Sequence, residues 1–226
     1  MAFPVPVELP DSLGFNSRVF DIGRYQQVSP GGVLYPQTIE RAEPSWFAEL
    51  GTPPLRGDRY DEVRAFLDDL EGGQGSALWY DPRRPMPAAY STLPTTADPW
   101  TKTGEAAPIL TIVSYANSEL RLEKMENGAI VSLGDYISCL IGTVWYLWRV
   151  TRGAVVGVDY GPNAIVVKVK PRPNLLVGFD TLPAPIRYRK APFEGKVIGA
   201  PKEDDSIDSN PKLSFKVFQF LNRTLP

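Results

Sequence analysis

Asp204, Ser206, Asp208 and Asn210 place oxygen-bearing side chains at alternate positions, the pattern from which a calcium loop draws its ligands. The turn glycine of such a loop is missing, and Phe215 stands where a bidentate glutamate would complete the coordination. A second acidic group, Asp68, Asp69 and Glu71, closes an amphipathic segment and reads as a solvated face. Cys139 is the one cysteine, lies in an apolar run and reads as a small buried hydrophobe in a chain folded in a reducing compartment. Arg56-Gly57-Asp58 spells the integrin tripeptide, but Asp58 is better used as a helix cap. Trp79, Tyr80, Trp100 and Trp148 could stack on sugars. Core or subunit interface is the preferred use, and with Trp46 they make up the candidate interface residues.

The chain has no histidine, which removes the usual general base near neutral pH and the commonest metal ligand. No glycine-rich segment matches a phosphate loop or a dinucleotide fingerprint. The expectation is therefore no catalytic, metal or cofactor residues. Carboxylate pairs for glycosidic chemistry stay open, because folding and not spacing brings them together. With 24 basic and 26 acidic residues well mixed, the net charge of −2 leaves no footprint for nucleic acid. No apolar run is long enough for a membrane-spanning helix, so membrane insertion is not expected.

These side chains need elements to hold them, and the patterning predicts a mainly β (α+β) protein. A hairpin is predicted from Ser17–Ser29 and Val33–Arg41 around a Pro30-Gly31-Gly32 turn, with a bulge at Gly23. A third strand is predicted over Trp46–Thr52, beginning just after Pro44. Asp58–Leu70 is the single convincing helix. Val63, Phe66, Leu67 and Leu70 fall at i, i+3, i+4 and i+7 and are expected to pack on the sheet, at roughly 1.5–3 kcal/mol each. Asp58 would cap the helix and Gly72-Gly73 would stop it.

Proline at positions 4, 6 and 10 predicts an extended arm over 1–16 that lies on a neighbour or frays. After a short strand at Ser76–Tyr80, the proline-rich stretch Asp81–Trp100 reads as a loop, with 96–107 a linker. Residues 108–173 form short strands separated by turn residues, the mark of a small β-barrel or sandwich. Further strands are predicted around Leu175–Asp180 and Ile186–Ile198. The apolar stretch from Leu213 to Leu221 is expected to return to the first sheet. The organisation is then a discontinuous outer domain, 17–95 with 174–226, carrying the barrel as an insertion.

The order of several segments resembles the distal tail and minor tail (baseplate) proteins of long-tailed, siphovirus-type bacteriophages. The segments are Gly31-Gly32, "ERAEPSWFAEL" (Glu40–Leu50), "TPPLRG" (Thr52–Gly57), "VRAFLDDLEG" (Val63–Gly72) and "LWYDPRRPMP" (Leu78–Pro87), then "LGDYIS", "WRV" and "DYGPNAIVVKVKP". The resemblance implies a ring-forming virion structural protein at the tail tip, assembled in the host cytoplasm, hexameric or alternatively trimeric. It would join the tail tube protein to the baseplate hub and receptor-binding apparatus, with no catalytic residues. Two rival readings are a carbohydrate-binding host-attachment module and a carboxylate-dependent cell-wall hydrolase.

Overall fold

The structure, a computed structural model, describes residues 6–10, 13–29, 37–70, 75–142, 144–158, 160–173, 182–204 and 211–219. It is mainly β with one α-helix among those residues. In chain order come β1 (Val7–Glu8), β2 (Asn16–Ser29), β3 (Gln37–Gly51), α1 (Asp58–Asp69) and β4 (Ala77–Trp79). Next come β5 (Ile109–Ser114), β6 (Glu119–Glu123), β7 (Ile130–Val131), β8 (Tyr136–Ile141) and β9 (Val144–Arg152). β10 (Ala154–Val155), β11 (Ala164–Lys170), β12 (Ala184–Arg187), β13 (Phe193–Asp204) and β14 (Lys212–Gln219) complete the chain.

Two units result. A six-stranded sheet has the order β1-β4-β13-β14-β3-β2, and β11-β6-β5-β12-β8-β9 close into a barrel. β7 and β10 form a small separate pair. The alternation of β14 explains its central place in the sheet: Leu213, Phe215 and Val217 face the core, and the strand pairs with β13 on one side and β3 on the other.

Several expected boundaries move. The second and third strands are one strand, β3, which runs through Pro44. The β2–β3 register passes from Gly23↔Ser45 to Tyr25↔Ala42, so Pro44 falls in an unpaired bulge where its missing N–H costs the ladder nothing. The described residues of the expected arm pack on the chain itself: β1 pairs in parallel with β4, and Leu9, Leu13 and Phe15 are buried in the core.

In α1, Val63, Leu67 and Leu70 are buried, while Phe66 is half-buried against Phe15 and Trp79. Asp58 does not cap the helix. Gly57 holds the cap position at φ 49°, a conformation that suits glycine, and no side chain caps the helix. Asp58 and Asp61 instead sit in the first turn, where the dipole favours them. Gly72-Gly73 lies outside the described residues, as do the Pro30-Gly31-Gly32 turn and the strand expected at Leu175–Asp180.

The barrel does not end at residue 173. β12 closes the gap between β5 and β8, with Ala184 opposite Leu110 and Ile186 opposite Cys139. Nor is 96–107 a free linker. Trp100 is fully buried in the barrel core, stacks on Tyr188 at 4.4 Å and donates its indole N–H to the Ile130 carbonyl. Tyr188 in turn donates to Asp98, pinning the loop to the strand end.

β9 joins the two units. Its alternation sends Trp148 and Tyr146 into the barrel core and Leu147 into the sheet core. Tyr136 of β8 also enters the sheet core, edge-on to Trp46 and tilted against Phe20. Buried Glu194 of β13 accepts from the Ser76 hydroxyl at 2.6 Å and from the Trp145 backbone N–H. The carboxylate at the junction is thus paired.

Candidate functional site

Four of the five aromatics expected at an interface are core residues. Trp46, Trp79 and Trp100 are 0% exposed and Trp148 is 2% exposed. The Trp46 indole N–H reaches the Leu147 carbonyl and that of Trp79 the Gly195 carbonyl, while Trp148 stacks on Tyr146 at 6.0 Å. Tyr80 alone is half-buried, with Lys190 Nζ 5.7 Å from its ring centroid. Stacking of Trp79, Trp100 or Trp148 on a sugar is therefore ruled out by burial. The sequence could not show this, because the contacts that bury these rings are distant along the chain.

The other candidates also separate. Asp68 and Asp69 are exposed on α1, and Glu71 lies outside the described residues. Asp204 ends β13, Ser206, Asp208 and Asn210 lie outside the described residues, and Phe215 faces the core. Among the described residues no group of three or more histidine, cysteine or acidic side chains is placed to hold a metal ion. No described helix is long and apolar enough to cross a membrane. Cys139 is fully buried, and burial pushes its thiol up to about 12, so it is a poor nucleophile.

What the fold leaves open is the far side of the sheet. Among the described residues β14 accompanies β3 from Gly51 to Phe47, opposite Ser214 to Phe218. The Gln219 side chain, last of the described residues of β14, then accepts from the Trp46 backbone N–H at 3.1 Å. Beyond it, among the described residues, Gly23–Ser29 and Gln37–Ser45 pair only with each other. The result is a two-stranded ribbon extending about 20 Å past the sheet at the usual rise per residue. Among the described strands, β2 is the outermost of the sheet.

At the root of this ribbon the sheet face opposite the core carries apolar surface. Phe47 and Phe218 stack there at 6.1 Å and are half-buried. Ile198 is 56% exposed. Gly23 sits against Phe47, where a Cβ would touch the ring at 3.4 Å. The patch is bordered by the ion pairs Lys216–Glu49 (2.9 Å) and Arg149–Asp21 (3.1 Å). Sequence reading missed Phe47 and Phe218. The signal was present in the alternation of "WFAEL", which turns Phe47 away from the face that Trp46 occupies.

A cleft of about 360 Å³ lies at the opposite edge, between Glu8, Leu78, Tyr80, Arg187 and Lys190. Its charges are engaged: Arg187 pairs with Glu8 at 2.8 Å and lies over the Trp145 ring. No protein-family model matches the chain, and no curated protein matches it.

Proposed function

We propose that the chain is a virion structural subunit of the distal-tail type, which forms a ring at the tail tip of a long-tailed bacteriophage. The ring connects the tail tube to the baseplate hub, and the subunits assemble in the host cytoplasm into a hexamer, with a trimer as the alternative order. The observation that carries this reading is the β2–β3 ribbon with its open edge. A two-stranded ribbon is marginal in water on its own, and an open edge strand invites pairing with another chain. Identical neighbours arranged about an axis cover every such edge with the same contact. The half-buried Phe47–Phe218 stack at the ribbon's root, with the exposed Ile198, supplies apolar area for the same contact. The ordered resemblance to tail proteins supports the assignment to a virion.

The test is light scattering on the purified protein beside a variant in which residues 24–44 are replaced by Asn-Gly, joining Gly23 to Ser45 by a tight turn. The expected result is a closed oligomer for the natural chain and a folded monomer for the variant. A natural chain that stays monomeric at all concentrations, and is absent from tail tips in micrographs, overturns the reading.

A further inference from the structure

A second cleft, of about 310 Å³, opens between the Arg83–Ser91 loop and the turn that leads into β8. Met86 and Pro87 supply apolar wall, and Leu133, 71% exposed, forms a lip. Its resident carboxylates are already occupied. Asp135 accepts from the backbone N–H groups of Ala88 and Ser132, both at 2.7 Å. Asp81, a neighbour of the cleft residue Arg83, accepts from the Ser17 hydroxyl at 2.6 Å and from the Arg83 Nε and Nη2 N–H groups at 3.1 and 3.2 Å.

Tyr136 and Arg84 both have donors to spare. Tyr136 lines the cleft and is 8% exposed, with its ring fixed against Phe20 and Trp46. Its hydroxyl has no hydrogen-bond partner among the described residues, although Asp81, Arg83, Arg84 and Arg149 all act on it electrostatically. Arg84 spends one N–H on a long 3.3 Å bond to the Gly134 carbonyl and is otherwise exposed. The residual exposure of Tyr136 opens onto the cleft, so its hydroxyl can donate to a bound acceptor there, and the exposed Arg84 guanidinium on the same wall can donate to the same group.

We propose that this cleft binds a carboxylate, with the Arg84 guanidinium and the Tyr136 hydroxyl as its two donors and Met86, Pro87 and Leu133 around its apolar stem. Two donors match the two oxygens of a carboxylate. A phosphate dianion fits less well, because Asp81 and Asp135 would repel the second charge. Burial, then the Asp81 charge, raise the Tyr136 pKa, so the hydroxyl keeps its proton and donates at neutral pH. The carboxylate belongs either to a protein's acidic side chain or to a free small acid, and the inference does not depend on the ring reading.

The experiment is saturation-transfer NMR on the full-length protein with pentanoate, with N-acetylglutamate methylamide as a protein-like probe, and with pentanamide and N-acetylglutamine methylamide as uncharged controls. Arg84→Met is expected to weaken both acids by about tenfold or more, and Tyr136→Phe by roughly threefold or more. Tyr136→Phe keeps the buried ring, so unchanged melting separates loss of the donor from loss of the fold. Binding of the glutamate probe alone assigns the site to a protein carboxylate, and equal binding of pentanoate assigns it to a free acid. Failure of both acids to saturate, amides that bind as tightly as acids, or an Arg84→Met protein within twofold of the natural one overturns the proposal.

Discussion

The Trp46 indole N–H donates to the Leu147 carbonyl at 2.6 Å across 101 residues of chain, and this buried bond stitches the sheet to the barrel. Trp46→Phe keeps an aromatic ring in the pocket but leaves that carbonyl without its donor, at an expected cost of about 1–3 kcal/mol. Trp46→Ala adds a cavity and should cost about 3–5 kcal/mol. Urea unfolding followed by circular dichroism reads both. A Trp46→Phe protein with the natural midpoint would show that the bond carries no net stability.

The helix face makes a graded prediction. Val63 is fully buried, whereas Phe66 keeps partial exposure beside Phe15 and Trp79. Val63→Asp places an unpaired carboxylate inside the core and should prevent soluble expression. Phe66→Asp can turn its carboxylate toward water, so it should lower the melting temperature yet leave folded protein. Equal behaviour of the two variants would contradict the orientation of α1.

How much of this was legible beforehand differs from residue to residue. The helix could be read because Val63, Phe66, Leu67 and Leu70 repeat within two turns, and β14 because its alternation is equally local. The burial of Trp100 could not, since its sealing partner Tyr188 lies 88 residues away. Pro44 looked like a strand start because the bulge that tolerates it is created opposite, at Gly23–Tyr25 of β2. The carboxylate cleft had no local signature, as Arg84 and Tyr136 meet only after the loop has folded onto the barrel.

Glu194 links the same junction to pH. Burial raises its pKa above 4.5, opposed by the Ser76 hydroxyl, the Trp145 N–H and Lys196. The folded state therefore holds this proton more tightly than the unfolded state. The stability it confers is complete below about 4.5 and is lost as pH rises through the raised folded value. Asp135, also raised by burial, adds to the same slope. Glu194→Gln should flatten it, as measured by denaturant midpoints at a series of pH values from 4.5 upward. An unchanged slope would assign the dependence elsewhere.

Cys139 reports on the closure of the barrel. Its thiol lies 3.4 Å from the Pro185 carbonyl in β12 and is pushed from 9.0 up to about 12. A disulfide reagent should therefore label the native protein only as fast as the barrel opens, and should titrate the single thiol at once in denaturant. Stability should fall as pH rises from 9.0 toward about 12, the range in which only the unfolded thiol ionises. Cys139→Ala should remove that part of the alkaline loss.

β12 reaches the barrel from beyond its other strands, and this orders events as the chain leaves the ribosome. Five barrel strands, β5, β6, β8, β9 and β11, are synthesised before Ala184–Arg187 arrives to close the ring. β13 and β14 follow, so the sheet whose first strands are made earliest is finished last. Such distant pairings are slow to form and leave β-strands unsatisfied meanwhile. Until Lys212–Gln219 emerges, β3 can pair only with β2. The nascent protein thus matures from its inserted centre outward.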